Sequence, residues 1–227
     1  MPLADLLSLF FPEICPGCRS SLLKNERVMC SMCRILLPVI DDYMSSKNAI
    51  SLKLAGRLPI KQGFCFLYFQ KEGIVQRLMH NLKYKNRPDI GFHLGELFGK
   101  VLHEKGVSKM FDGIIPVPLH RARLDRRGYN QSSEFAKGLS NTTGIAVEEG
   151  VVFRYRKSET QTRKSRIERI KNVEGIFRIK NGIRITGKRI LMVDDVFTTG
   201  ATLESCGHAL LTCGIESISV ATIAQAK

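Results

Sequence analysis

Four apolar residues, two adjacent carboxylates and a Thr/Gly stretch follow one another in Ile190-Leu191-Met192-Val193-Asp194-Asp195-Val196-Phe197-Thr198-Thr199-Gly200-Ala201-Thr202. An unbroken apolar run of this length suits a central strand of a parallel sheet, covered on both faces. The carboxylates then fall at its carboxyl end, the edge where open α/β sheets bind ligands. A helix opening after the Thr/Gly stretch points unpaired N–H groups at the loop, and with the helix dipole they form a phosphate site. Hydroxyls of Thr198, Thr199 and Thr202 can complete it, and Gly200 lets the backbone approach the anion. Two carboxylates beside a phosphate would repel it unless they face donors, and a pair of sugar hydroxyls supplies those. The segment reads as a ribose 5-phosphate grip.

A second constraint comes from the cysteines. Cys15-Pro16-Gly17-Cys18 and Cys30-Ser31-Met32-Cys33 repeat the C-x2-C spacing. Two intervening residues let a tight turn present both sulfurs to one ion at about 2.3 Å, and two such turns close a tetrahedral zinc site with no open position. Such a site is structural and folds a segment too short to bury enough surface unaided. Two local disulfides or four buried thiols are the plainer alternatives. The N-terminus carries no basic n-region, and the apolar stretch Leu6–Phe11 is too short for a signal or a membrane span. A cytoplasmic protein is expected. Leu6, Leu7, Leu9, Phe10 and Phe11 read as a short amphipathic helix, docked on the following domain or, in the sharper reading, touching the inner membrane as a peripheral contact.

Residues 1–40 thus read as a zinc ribbon with a short helix, 41–60 as a polar linker, and 61–227 as an α/β domain. In the last, Phe64–Phe69 and Ile218–Ile223 have strand patterns; Ile74–Tyr84, Ile90–Glu104, Gln131–Leu139 and Thr202–Cys213 have helical spacing. Alternating strands and helices argue for a parallel sheet with flanking helices.

The thirteen residues of the first motif resemble the phosphoribosyl pyrophosphate (PRPP) binding motif of type I phosphoribosyltransferases. The resemblance implies that Asp194 and Asp195 take the ribose hydroxyls, and that Val196, Phe197, Thr198, Thr199, Gly200, Ala201 and Thr202 surround the 5′-phosphate. The segment Ile115–Gln131 resembles the proline-then-basic loop of the ComF competence proteins, DNA-uptake factors with a cysteine zinc ribbon ahead of a phosphoribosyltransferase domain. By that resemblance Leu119, His120 and Arg121 sit where type I enzymes bind pyrophosphate. Arg123, Arg126 and Arg127 continue the run, with planar forks suited to phosphate oxygens of a nucleic acid; a solvated basic face is the plain alternative. A third segment, from Arg154 through Arg169, stands where type I enzymes carry a mobile loop over the pyrophosphate. The likeness nominates Lys157, Gln161, Arg166 and Arg169, with Arg166 joining Asp194 and Asp195 as the catalytic set. A basic surface loop is the other reading.

Charge separates the functional classes. The chain carries +14, and residues 114–189 hold 18 Lys/Arg against 7 Asp/Glu, so the excess lies around the proposed ligand loops. A phosphoribosyltransferase using PRPP and Mg²⁺ is one expectation. Its rival is a single-stranded DNA (ssDNA) binding module with little or no transfer activity, with a nucleotide-salvage enzyme as a third reading. The ComF resemblance implies a role in moving ssDNA inward during transformation, beside a competence helicase and the membrane DNA channel.

Overall fold

The computed structural model describes residues 11–41, 48–155 and 176–226. The expected helix at 6–11, but for Phe11, and the loop residues Lys157, Gln161, Arg166 and Arg169 lie outside the described residues. In chain order the described elements are α1 (Ser31–Ile35), α2 (Ala49–Leu54), β1 (Gly63–Phe69), α3 (Ile74–Tyr84), α4 (Pro88–Glu104), β2 (Gly113–Pro116), α5 (Arg121–Arg127), α6 (Gln131–Thr143), β3 (Val152–Arg154), β4 (Phe177–Ile179), β5 (Arg189–Phe197), α7 (Ala201–Leu211) and β6 (Ser217–Ala226). Four strands form a parallel sheet in the order β1-β6-β5-β2, with Asp194 in register with Thr222. β3 and β4 pair separately as an antiparallel ribbon.

The apolar runs become strands buried on both faces, as parallel packing requires: Ile190 through Val193 are at most 1% exposed. On one flank Phe66, Phe98 and Phe135 stack in succession, with ring centroids 5.0 and 6.4 Å apart, joining β1, α4 and α6. The two helices approach backbone to backbone there. A Cβ on Gly138 would stand 2.0 Å from the Phe92 carbonyl oxygen, so only glycine permits the contact that fixes α6. Both sheet edges are covered. Ile40 N–H donates to Phe66 O and Tyr68 N–H to Pro38 O (both 2.9 Å) along β1; Ile114 N–H donates to Ala146 O and Glu148 N–H to Ile114 O (both 2.8 Å) along β2. Unpaired edge amides are thereby withdrawn from foreign strands.

Residues 48–60, expected within a polar linker, carry α2. Asn48 caps it by accepting from Ser51 N–H at 3.0 Å, and Ile50 and Leu54 are fully buried. The two aliphatic residues at i and i+4 make one apolar face, a short helical signal diluted by its polar neighbours. Ile115–Gln131 also holds more structure than a loop. His120 opens α5 and Gly128, at φ 81°, closes it.

The ribbon is continuous with the domain. Cys15, Met29, Cys33, Leu37 and Ile40 belong to the same buried cluster as the sheet, and Arg77 Nε of α3 donates to Gly17 O in the first cysteine turn.

Candidate functional site

β5 runs past the apolar stretch and carries both carboxylates at its end, in line with the sheet edge argument. Each carboxylate has its own partner. Asp194 Oδ1 accepts from Ser132 Oγ at 2.9 Å and from the Asp195 N–H at 2.8 Å. Ser132 is held by the start of α6: its own N–H donates to Asn130 Oδ1 (3.2 Å), while Asn130 Nδ2 donates to Val117 O (3.0 Å). Asp195 Oδ2 instead faces α3, 2.8 Å from Lys83 Nζ. Burial raises the pKa of Asp194, the charge on Asp195 adds to the rise, and the two donors oppose it.

The loop after β5 is braced from behind by α2 and the residues after it. Arg57 Nη1 donates to Thr199 O at 2.8 Å and Lys53 Nζ to Thr198 O at 3.4 Å, while Arg57 Nη2 pairs with Glu204 at 2.5 Å. These cations draw two loop carbonyls to themselves. The N-terminus of α7, where Ala201 N–H donates to Thr199 Oγ1 at 3.4 Å, favours an anion, and the adjoining pocket of about 30 Å³ is lined by Phe197, Thr199, Gly200 and Ala201 among others. Gly200 has φ 76° and its absent Cβ would meet Leu54 Cδ2 at 2.9 Å. Gly200→Ala is therefore expected to destabilise the protein by about 1–2 kcal/mol, read as a drop of about 2–8 °C in Tm.

Between this loop, α3 and the segment from Val117 to Arg127 opens a cavity of about 570 Å³. The acidic pair, Val196, Thr198 and Thr202 occupy one side of it; Leu119, Arg123, Arg127 and Arg154 line another. Arg127 lies 5.7 Å from the Tyr84 ring centre and Arg154 5.5 Å from that of Phe177, and burial lowers the pKa of both guanidinium groups. Desolvated guanidinium groups of this kind gain most from an anionic ligand.

The structure places the expected residues in two sets. Leu119, Arg123, Arg127, Asp194, Asp195, Val196, Thr198 and Thr202 line the cavity, and Phe197, Thr199, Gly200 and Ala201 the adjoining pocket. His120, Arg121 and Arg126 line neither. His120 Nδ1 accepts from Ala122 N–H at 3.3 Å as the cap of α5, and the Arg121 side chain is 91% exposed, 4.0 Å from Asp125. Two of the three arginines assigned to nucleic acid, Arg123 and Arg127, turn into the cavity instead. Arg154, expected at the start of a loop over the pyrophosphate, stands on β3, while sequence reasoning missed Lys83 and Ser132, and with them a wall supplied by Gln76, His80 and Tyr84 of α3. The helical signal was present: Val75, Leu78, Met79 and Leu82 are the buried face, so residues 76, 80 and 83 share another.

The cysteine sulfurs of Cys15, Cys18, Cys30 and Cys33 lie within 4.8 Å of one another, and none is in a disulfide. Four sulfurs at about 2.3 Å from one ion would stand about 3.8 Å apart; Cys18 and Cys30 are at 3.5 Å. Backbone N–H groups of Cys30 and Cys33 donate to Cys15 Sγ and Cys30 Sγ, both at 3.4 Å, a pattern that suits thiolates. The cluster fits a tetrahedral, thiophilic ion.

A family model described as phosphoribosyl transferase domain matches residues 124–227. DNA utilization protein YhgH of Salmonella typhi is 32% identical over 93% of this chain and 96% of its own length, and competence protein ComFC of Bacillus subtilis is 32% identical over 89% and 79%. The chain belongs to the ComF family. YhgH of Shigella flexneri is 34% identical to this ComF-family chain, but the match spans 63% of each. Among solved structures, the glutamine PRPP amidotransferase of B. subtilis, complexed with ADP and GMP, aligns over 63% of this chain and 30% of its own at 22% identity and TM-score 0.44. The ComF-family chain has the expected parallel sheet with flanking helices. No described helix is long and apolar enough to cross a membrane.

Proposed function

We propose that the cavity binds PRPP with Mg²⁺ and that the protein serves DNA uptake or utilization through this site. The observation that carries the reading is a set of groups that line one cavity and the pocket adjoining it: a phosphate loop braced by Arg57, two divergent carboxylates, and Arg123, Arg127 and Arg154. PRPP presents groups of the matching kinds, 5′-phosphate, ribose diol and pyrophosphate. Asp194 and Asp195 would accept from the hydroxyls, Thr198 to Thr202 would hold the 5′-phosphate, and the arginines would meet the pyrophosphate. In phosphoribosyl transfer the C1–oxygen bond breaks and the electron pair leaves with pyrophosphate, so guanidinium groups already fixed there stabilise charge as it develops. When bound, Mg²⁺ neutralises part of that charge. By the family resemblance, Arg166 with Lys157, Gln161 and Arg169 completes the pyrophosphate side, and Cys15, Cys18, Cys30 and Cys33 hold a structural zinc ion.

Calorimetric titration with PRPP tests the reading. Saturable binding that strengthens with Mg²⁺ is expected, and no heat and no thermal shift at millimolar PRPP would remove it. The names of the relatives, competence protein and DNA utilization protein, support a DNA-linked role.

A second reading, ssDNA binding, is favoured by groups outside the cavity. Arg121 and Arg126 are exposed, and beside the β3–β4 ribbon Tyr155 is 56% exposed with Arg178 3.8 Å from its ring centre. Aromatic and guanidinium faces of this kind stack bases without regard to sequence. Affinity should then fall with salt at a slope of about −0.7 per contacted phosphate in a fluorescence anisotropy titration.

A further inference from the structure

The ion pair between Lys83 and Asp195 lies in the wall of the cavity at the proposed ribose site. Its atoms are 2.8 Å apart, and the side chains keep only 25% and 17% of their exposure. The pair is thus partly shielded, and its attraction is less screened than that of a pair on the open surface. The last turn of α3 that carries Lys83 is pinned: Leu82 is fully buried, and Tyr129 Oη donates to the Leu82 carbonyl. Tyr84, the next residue, faces Arg127, so this end of α3 adjoins the arginine side of the cavity.

A ribose hydroxyl donating to Asp195 Oδ2 competes with Lys83 for that oxygen. The hydroxyl is neutral, so the exchange costs the ammonium its closest charged contact, a loss made good only when the same ligand brings an anion to the arginine side. A sugar with phosphate only at its other end brings none. Building on the PRPP reading, we propose that Lys83 is a positioning and specificity residue: it holds Asp195 in the empty site, yields it to the ribose, and turns to the pyrophosphate of the same ligand. The cavity is thereby selective for a ribose carrying an anionic group at C1 over ribose 5-phosphate.

The test compares PRPP with ribose 5-phosphate, each with Mg²⁺, by calorimetry on the full chain with Lys83→Met and Lys83→Arg. Losing one charge-assisted contact is expected to weaken PRPP about tenfold in Lys83→Met, with ribose 5-phosphate changed by less than about threefold. Lys83→Arg should restore most of the PRPP affinity. Equal losses for both ligands, or no recovery with arginine, would make the residue structural and overturn the proposal. PRPP binding unchanged or tighter in Lys83→Met would also overturn it, by showing Lys83 to be a bystander or a competitor. Either result leaves the PRPP reading standing, whereas a wild-type chain that ignores PRPP removes both. If Lys83→Met fails to fold, Lys83→Gln, which keeps a donor to Asp195 without the charge, carries the same comparison.

Discussion

A chain with Asp194→Asn and Asp195→Asn should fold and lose PRPP. Each carboxylate accepting from a sugar hydroxyl makes a charged hydrogen bond of about 1.5–3 kcal/mol, so the pair accounts for about two to four orders of magnitude in affinity. Stability should change little, because opposite effects meet. Asp194 is disfavoured as an anion by burial and by Asp195, and a neutral amide relieves that; Ser132 Oγ can donate to the Asn oxygen as it does to Asp194 Oδ1. Against this, Lys83 loses its counter-charge at Asp195.

The pH dependence separates the two effects. A carboxyl whose folded pKa is raised contributes most below its unfolded value near 3.9, and that contribution is lost as pH rises towards the folded pKa. The wild type should therefore lose some stability from mildly acidic to neutral pH, and Asp194→Asn alone should flatten that slope in thermal melts. Measured on the double variant, PRPP binding, ssDNA binding and transformation then divide the possible roles. Transformation lost with DNA binding intact ties the biology to the ligand cavity. Transformation unaffected makes the cavity dispensable to it.

The acidic pair could be read from sequence because its signal is local: apolar strand, carboxylates and loop lie within thirteen residues, and chain direction alone puts them at the sheet edge. Lys83 is 112 residues away in sequence from Asp195, and nothing in the spacing of Ile74–Tyr84 says what its polar face meets until β1 and β5 are placed in one sheet with β6 between them. Arg57 was hidden in the same way, within a stretch whose composition suggests a spacer and whose partners, Thr199 and Glu204, lie after β5. The basic run at 121–127 shows a different limit. Composition marks it as phosphate-seeking, but helix geometry divides it: Arg123 and Arg127, one turn apart, share the inward face, while Arg121 and Arg126 point elsewhere.

Removing the cysteine cluster should have the largest effect on stability. Structural zinc in small modules is worth about 10–16 kcal/mol at neutral pH, comparable to the whole stability of an ordinary domain at about 5–15 kcal/mol. Here the loss cannot stay in the ribbon. Cys33, Leu37 and Ile40 are part of the common core, and Pro38 and Ile40 occupy the free edge of β1 through the bonds to Tyr68 and Phe66. Cys33→Ser, or a strong chelator added during unfolding, should release this strip and expose the β1 edge to intermolecular pairing. The expected record is a Tm lower by at least about 10 °C, loss of one zinc per chain by elemental analysis, and aggregation on heating. PRPP binding should weaken at temperatures below that transition, because the first cysteine turn also anchors Arg77, on the helix whose far end holds Lys83 against Asp195. If metal removal leaves both Tm and PRPP affinity unchanged, the ribbon is held by packing alone and the cluster has another purpose.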